Sequence, residues 1–534
     1  MRQIHRCALG ALLLGAVNFG LGCGEPGEPG LIGQTDSGPQ GGEAGGGGVG
    51  GAMMPDAFAP SPDFELPDPP DMAEVPDAAP TGPEAPSAEI NEAVDAFNGE
   101  VYFYGRNLAT GEAVASRADE PVFGGELFRI FAVLTYASQV TAGTIEAGTE
   151  VTYTAEFERS PAGFLGNRRV GETFTLEQLA RFTLNLGDRS AEALLIDALG
   201  GAEVVQETAT SLIVPGLGRY LSPCERDRLF AEALDGRFSG VSCVNLGRYL
   251  HGDDATAITP DPFPEAPEFD DAAFRGAVAA MNDMGVSLAT ARAWGEVLTR
   301  LYRGTLVDAT TNAIVRGLLE QSLGSGGGGD ELPSPVWVSS WNAGFYAGRH
   351  WGALITPPTD EAAAEGLEPM VLVMLTLDRQ IGADTGALFA SVGRLVHEQL
   401  VGPVDLTPPL SATPRPDWVE GLFLVEANET ANCNAMFSDD FDALLNCRSE
   451  GERARFLVDE ETAGAIMIRE GPQVDIAWFW TQPDGTRHRY QQRLFEGGWW
   501  AWTRSFRAFV AGNWRLDIYI NGNPYMLRAF EVTE

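Results

Sequence analysis

Blocks of apolar and polar residues divide this chain into regions that predict different architectures. Val101 to Tyr104 reads as a strand, Asn107 to Glu112 holds a Thr-Gly turn, and Leu127 to Val140 is apolar enough for a buried helix. The run Thr175-Leu176-Glu177-Gln178 is a capping box that opens a second helix, and a third extends from Ser190 to Leu199 until Gly200-Gly201 stops it. Past a glycine-rich break at Gly324 to Gly329, three segments read as strands of an antiparallel sheet: Val336 to Ser340, Gly352 to Ile355 and Met370 to Leu377. Asp384 to Leu400 is an amphipathic helix with Leu388, Val392, Leu395 and Val396 on one face. The pattern predicts a mixed α/β (α+β) domain over residues 88–404, with helices flanking an antiparallel sheet.

Pro408, Pro409, Pro414 and Pro416 mark a linker over 405–417, and the pattern then changes. Short alternating runs at Leu422 to Val425, Ala465 to Ile468, Val474 to Trp480, Leu516 to Ile520 and Met526 to Val532 predict an all-β sandwich over 418–534. Pro483-Asp484-Gly485 and Asn521-Gly522 supply turns. Trp478, Trp480 and Trp514 alternate into the expected core. Trp499, Trp500 and Trp502 cannot all point inward on one strand, so they are candidates for an aromatic platform that binds a glycan or another protein. The stretch Gly512 to Asn523 resembles immunoglobulin-like accessory domains of bacterial envelope proteins.

Composition constrains function more than fold. The 75 Asp and Glu outnumber 35 basic residues for a formal charge of −40, which argues against a nucleic-acid partner. All of those basic residues are arginine, and the chain contains no lysine. At the N-terminus, Arg2, His5 and Arg6 precede a short apolar stretch, as in a secretory signal, and Gly20-Leu21-Gly22-Cys23 resembles a lipoprotein cleavage site with Cys23 as the lipidated residue. Residues 1–23 therefore read as a lipoprotein-type signal, with an ordinary secretory signal as the alternative. Residues 24–87 are Gly, Pro and acidic, too poor in apolar surface to offset the entropy of ordering, and read as a disordered tether. These features predict export and lipid anchoring at the bacterial cell envelope, on the outer membrane, with peptidoglycan or another envelope protein as candidate partners. Cys224, Cys243, Cys433 and Cys447 remain for two disulfides, most simply Cys224 to Cys243 and Cys433 to Cys447. Their spacings do not suit zinc, and no metal or cofactor is expected.

Three segments carry a family resemblance: Gly111 through Phe123 with the Glu126 to Val133 helix, Val170 to Leu179, and Ala191 to Gly201. In order, over about three hundred residues, they resemble the class A serine β-lactamases and related penicillin-binding hydrolases. That family works through Ser-x-x-Lys, Ser-Asp-Asn and Lys-Thr-Gly motifs. The resemblance places Glu126 at the nucleophilic serine and Arg129 at the lysine, Gly187-Asp188-Arg189 at Ser-Asp-Asn, and Asn342-Ala343-Gly344 at Lys-Thr-Gly, with Trp341-Asn342-Ala343 as the neighbouring register. Glu126 beside Arg129 makes an ion pair and no acylating nucleophile, because arginine keeps its proton at any working pH. Glu225 stands by position only where the family's general base is expected, takes no role from the family and reads as a solvated loop acid; Glu126 with Asp188 could form a carboxylate pair, though a salt-bridge network with Arg129 and Arg189 is expected instead. No catalytic residue is expected. The resulting expectation is a non-acylating binding or scaffolding module; the alternatives are a hydrolase with a rewired site, and a sandwich that itself does the binding.

Overall fold

The computed structural model describes residues 85–159, 164–252, 254–259, 261–321, 328–333, 336–345, 348–356, 368–378, 385–403, 411–426, 441–458, 460–469, 474–494, 499–508 and 510–534. Side chains in the 494–507 stretch are outside that description. The signal, Cys23 and nearly all of the tether therefore lie outside the described residues.

Gly99–Asn107 and Ala113–Ser116 form a hairpin. Its turn is built locally: Asn107 Oδ1 accepts from the amides of Ala109 and Thr110, and Gly111 takes φ +80, a value that favours glycine. Across the sheet, the strands run Ala113–Ser116, Gly99–Asn107, Met370–Asp378, Gly348–Thr356 and Trp337–Phe345, antiparallel throughout. The alternation of Met370–Asp378 serves two cores. Val371, Val373 and Leu375 face a core shared with Phe131, Leu134, Trp294, Leu298 and Val315, which come from the helices Ile130–Thr141, Ala291–Tyr302 and Ala309–Glu320. Met370, Leu372 and Met374 face Ile90, Leu388, Val392 and Val396 from Ala88–Asp95 and Thr385–Leu400. This region is thus helix, sheet, helix, with the sheet edge Trp337–Phe345 at one side.

The expected capping box is present: Gln178 N donates to Thr175 Oγ1 at 3.2 Å and Thr175 N donates to Gln178 Oε1 at 2.9 Å. Unanticipated is a helical insert of Pro223–Leu234, Cys243–Gly252 and Asp271–Asp283 around its own core of Phe230, Phe238, Leu246, Phe263 and Phe274. The disulfide Cys224–Cys243 staples its first two helices, as spacing suggested. Closing a loop of this size stabilises by roughly 3 kcal/mol.

The C-terminal region is built from two sheets that share a core. One contains Val419–Glu426, Glu461–Arg469 and Trp499–Arg507; the other runs Arg455–Leu457, Asn523–Thr533, Gly512–Ile520, Val474–Thr481, Arg487–Leu494. Trp478, Trp480 and Trp514 are fully buried between them, together with Ile466, Leu516 and Phe530. Asn521 and Gly522 both take positive φ, as a two-residue hairpin turn demands. Among the described residues of this region, one helix, Phe441–Glu450, accompanies the strands, and Arg455–Leu457 pairs in parallel with the last strand. Cys447 is disulfide-bonded, and Cys433 lies outside the described residues. The strand Trp499–Arg507 pairs Trp500 with Ile468 and Trp502 with Ile466; the side chains of Trp499, Trp500 and Trp502 are outside the description.

Candidate functional site

A 3-10 turn, Gly125–Arg129, leads into the buried helix Ile130–Thr141 and sets Glu126 and Arg129 below the sheet edge. Two contacts hold that turn. Trp341 Nε1 on the edge strand donates to the Leu127 carbonyl at 3.2 Å, and Trp294 packs edge-on against both Phe128 and Trp341. The strand register pairs Asn342 with Trp351, Ala343 with His350 and Gly344 with Arg349, so this stretch lies on the strand bordering the turn.

Glu126, Arg129 and Arg189 are all buried, and so are residues that sequence reasoning did not single out: Asp227, His251, Arg226, Glu192 and Tyr220. Arg189 is the hub. One guanidinium nitrogen bonds Glu126 Oε1 and the other Asp227 Oδ1. Arg129 reaches Glu126 only at 3.7 Å and donates to the Leu184 carbonyl at 3.4 Å, so the principal partner of Glu126 is Arg189 and not the arginine one turn away. Beyond Asp227, His251 Nε2 lies 3.0 Å from Oδ1. A second buried pair joins Arg226 to Glu192 at 2.7 Å, with the Tyr220 hydroxyl donating to the same carboxylate at 2.9 Å.

Electrostatics keep these acids charged. Burial pushes the Glu126 and Asp227 carboxyls up, but the arginines facing them, and His251 beside Asp227, more than reverse it and leave both below the usual carboxylate range. Burial likewise drives Arg129 down, against the pull of Glu126, while the Glu192 carboxylate turns the balance upward for Arg226. Burial pushes the Tyr220 phenol well above 10.

Gly187 and Arg129 are matched. Gly187 takes φ +64, and a Cβ there would sit 2.6 Å from Arg129 Nη1. The guanidinium therefore fills the space that a side chain at 187 would need; a serine at this position is incompatible with Arg129 as it lies. Asp188, by contrast, is turned away from the cluster. Its carboxylate caps the helix Arg189–Ala198 by accepting from Ser190 N and Ala191 N, and accepts a third bond from Leu165 N. Burial nonetheless raises its pKa. A Glu126–Asp188 acid/base pair is thus not formed, because backbone amides consume the second carboxylate.

Glu225 is also accounted for elsewhere. It closes the capping box of Pro223–Leu234 with Ser222 and pairs with Arg219 on the surface, so it is a helix-cap residue. The neighbouring Arg226 and Asp227 are the ones that reach inward. A run Cys224-Glu225-Arg226-Asp227-Arg228 signals charge on a helix, but only the insert's docking selects which two charges become buried.

What this arrangement can do is hold buried charges against one another. Comparisons place it in context. Similar solved structures include PBP-A, one of them an acyl-enzyme complex with penicillin-G, at 11% identity with a TM-score of 0.42, covering 59% of this chain and 97% of that one. A class A β-lactamase from Mycobacterium abscessus is 17% identical, TM-score 0.42, covering 58% of this chain and 97% of that one. A β-lactamase from Burkholderia vietnamiensis is 17% identical, TM-score 0.42, covering 59% and 98%. No curated protein matches. The model of the β-lactamase enzyme family matches residues 85–400, more than half of the chain, and spans the sheet, its helices and the arginine-centred cleft: this chain belongs to the β-lactamase enzyme family.

Proposed function

We propose that this chain is an envelope-anchored member of its family that has lost serine acylation and works as a binding or scaffolding module. The observation that carries the reading is the buried Glu126–Arg189–Asp227 chain of ion pairs, standing where the resemblance puts a nucleophilic serine, its lysine and the Ser-Asp-Asn loop. Glu126 is held as a carboxylate and the two nearby arginines are cations, so the positions of the family's serine and lysine offer neither a hydroxyl nucleophile nor an amine to take its proton. Arg129 and Gly187 are packed together, so a serine restored at 187 alone would meet the Arg129 guanidinium. The exported, lipid-anchored setting is supported by the signal pattern ending at Cys23 and the acidic tether behind it. The test is incubation of purified protein with a fluorescent penicillin, read by gel fluorescence and intact mass. No labelled species is expected; a mass-shifted acyl-protein overturns the proposal.

A second reading, a hydrolase with a rewired site, is favoured by one contact, His251 Nε2 at 3.0 Å from Asp227. It requires turnover of a chromogenic cephalosporin or small ester that Glu126→Ala or His251→Ala abolishes.

A further inference from the structure

The two parts of the chain meet at the edge of the β-lactamase sheet. From Arg487–Leu494, an edge strand of the five-stranded sheet in the sandwich, alternate residues reach across with side chains. Gln491 Oε1 accepts from Val338 N at 3.2 Å while Gln491 Nε2 donates to the Val338 carbonyl. One side-chain amide thus makes both hydrogen bonds that a neighbouring strand would make with an edge residue. Two residues earlier, Arg489 donates to the carbonyls of Pro333 and Val336, and its own amide donates to Asp330 Oδ1 at 3.2 Å. Two residues later, Arg493 bonds Glu320 at 2.6 Å, at the end of Ala309–Glu320, and packs over the Trp337 ring, while its other nitrogens are held by Asp475. Arg489 and Gln491 are nearly fully buried. Behind them Phe479 is buried, with the guanidiniums of Arg487 and Arg489 over its ring.

We propose that the C-terminal sandwich is a built-in cap for the edge of the β-lactamase sheet: Arg489, Gln491 and Arg493 occupy the start of strand Trp337–Phe345 as an added strand would, locking the two units in one orientation. The reason lies in edge chemistry. Unpaired amides and carbonyls on an edge strand recruit other chains unless they are covered, and a cap that uses side chains covers them without extending the sheet. The gripped segment, Val336 to Val338, leads into the same strand as Asn342-Ala343-Gly344 at the cleft, so the cap also closes that strand's upstream edge to an extended peptide. This inference does not depend on whether the cleft acylates. It predicts that the sandwich acts on the β-lactamase unit continuously and is not a free module on a string.

Two measurements on the full chain test it. With a protease site inserted between residues 404 and 410, the cleaved wild-type protein is expected to elute as one particle in size exclusion, and the R489A/Q491A variant as two. Spontaneous separation of the cleaved wild-type halves overturns the proposal. In the uncleaved chain, hydrogen exchange at the Val338 amide is expected to speed up at least tenfold in Gln491→Ala, while the amide of Leu372 in the central strand stays as protected as in wild type. Equal Val338 exchange in both proteins overturns it too, and Leu372 reports whether the variant has kept its fold.

Discussion

Buried arginine is satisfied differently in two regions of this molecule. In the β-lactamase cleft, Arg189 and Arg226 sit against carboxylates, and each charge is answered by an opposite one. At the sandwich interface, Arg489 meets carbonyl oxygens and the face of Phe479, and burial brings its pKa down to about 9. The cleft is a closed set of ions whose removal leaves charge behind; at the interface Arg489 and Gln491 make hydrogen bonds that fix geometry, beside the Arg493–Glu320 ion pair. The difference teaches where stability and orientation are each decided. A chain without lysine has one cationic side chain for both tasks, and guanidinium geometry suits both, since its fork can bridge two carboxylates or two carbonyls.

The sharpest way to break this contrast is Arg189→Ala. It strands Glu126 and Asp227 as buried carboxylates without their main cation, and should destabilise the protein by about 3–5 kcal/mol in urea unfolding. A loss under about 1 kcal/mol would mean that the cleft is open to water and the ion chain is incidental. Acid separates the regions next. His350 and His397, both in the β-lactamase unit, are held neutral by burial, with pKa values lowered to about 4. The unfolded chain binds their protons first, so their contribution is fully present above about pH 6.5 and is lost as pH falls toward 4; the magnitude is roughly 3 kcal/mol for each. Thermal unfolding between pH 7 and 4 should show this fall, and His350→Phe should flatten it.

Gly187→Ser introduces a side chain at positive φ against Arg129, for a cost of about 1–3 kcal/mol; pairing it with Arg129→Ala should recover part of that loss if the two positions are coupled as their packing indicates. Arg489→Ala leaves the Pro333 and Val336 carbonyls short of a donor and should cost about 1–3 kcal/mol, without the charge penalty of the cleft variant. At the bottom of the scale, Arg117→Ala breaks exposed pairs with Glu100 and Glu120, and the change in chemical unfolding should stay under about 1 kcal/mol.

Much of the fold was legible in the chain. The capping box at Thr175, the turn at Gly111, the alternation of Met370–Asp378 and the inward tryptophans of the sandwich are local patterns whose physics acts over a few residues. Family motifs marked Glu126, Arg129 and Arg189. Legibility failed where partners lie far apart in sequence. Glu126 is paired with Arg189 in preference to Arg129, although Arg129 is one turn away, because the helix geometry aims Arg129 at Leu184 and Gly187 instead. Asp188 was expected to face the cleft and is spent on a helix end; Glu225, read as a surface acid, also caps a helix.

Sequence by itself determined which residue types were on hand for the cleft: a carboxylate and guanidiniums where a hydroxyl and an amine would be needed, and nowhere in the chain a lysine to substitute. Tertiary structure alone decided that Asp227 and His251 complete the charge network and that Gln491 takes the place of a strand beside Val338. The physical reason is range. Backbone preference and side-chain periodicity are set by near neighbours, whereas the pairing of a buried charge or an edge amide depends on which distant segment packing brings within about 3 Å.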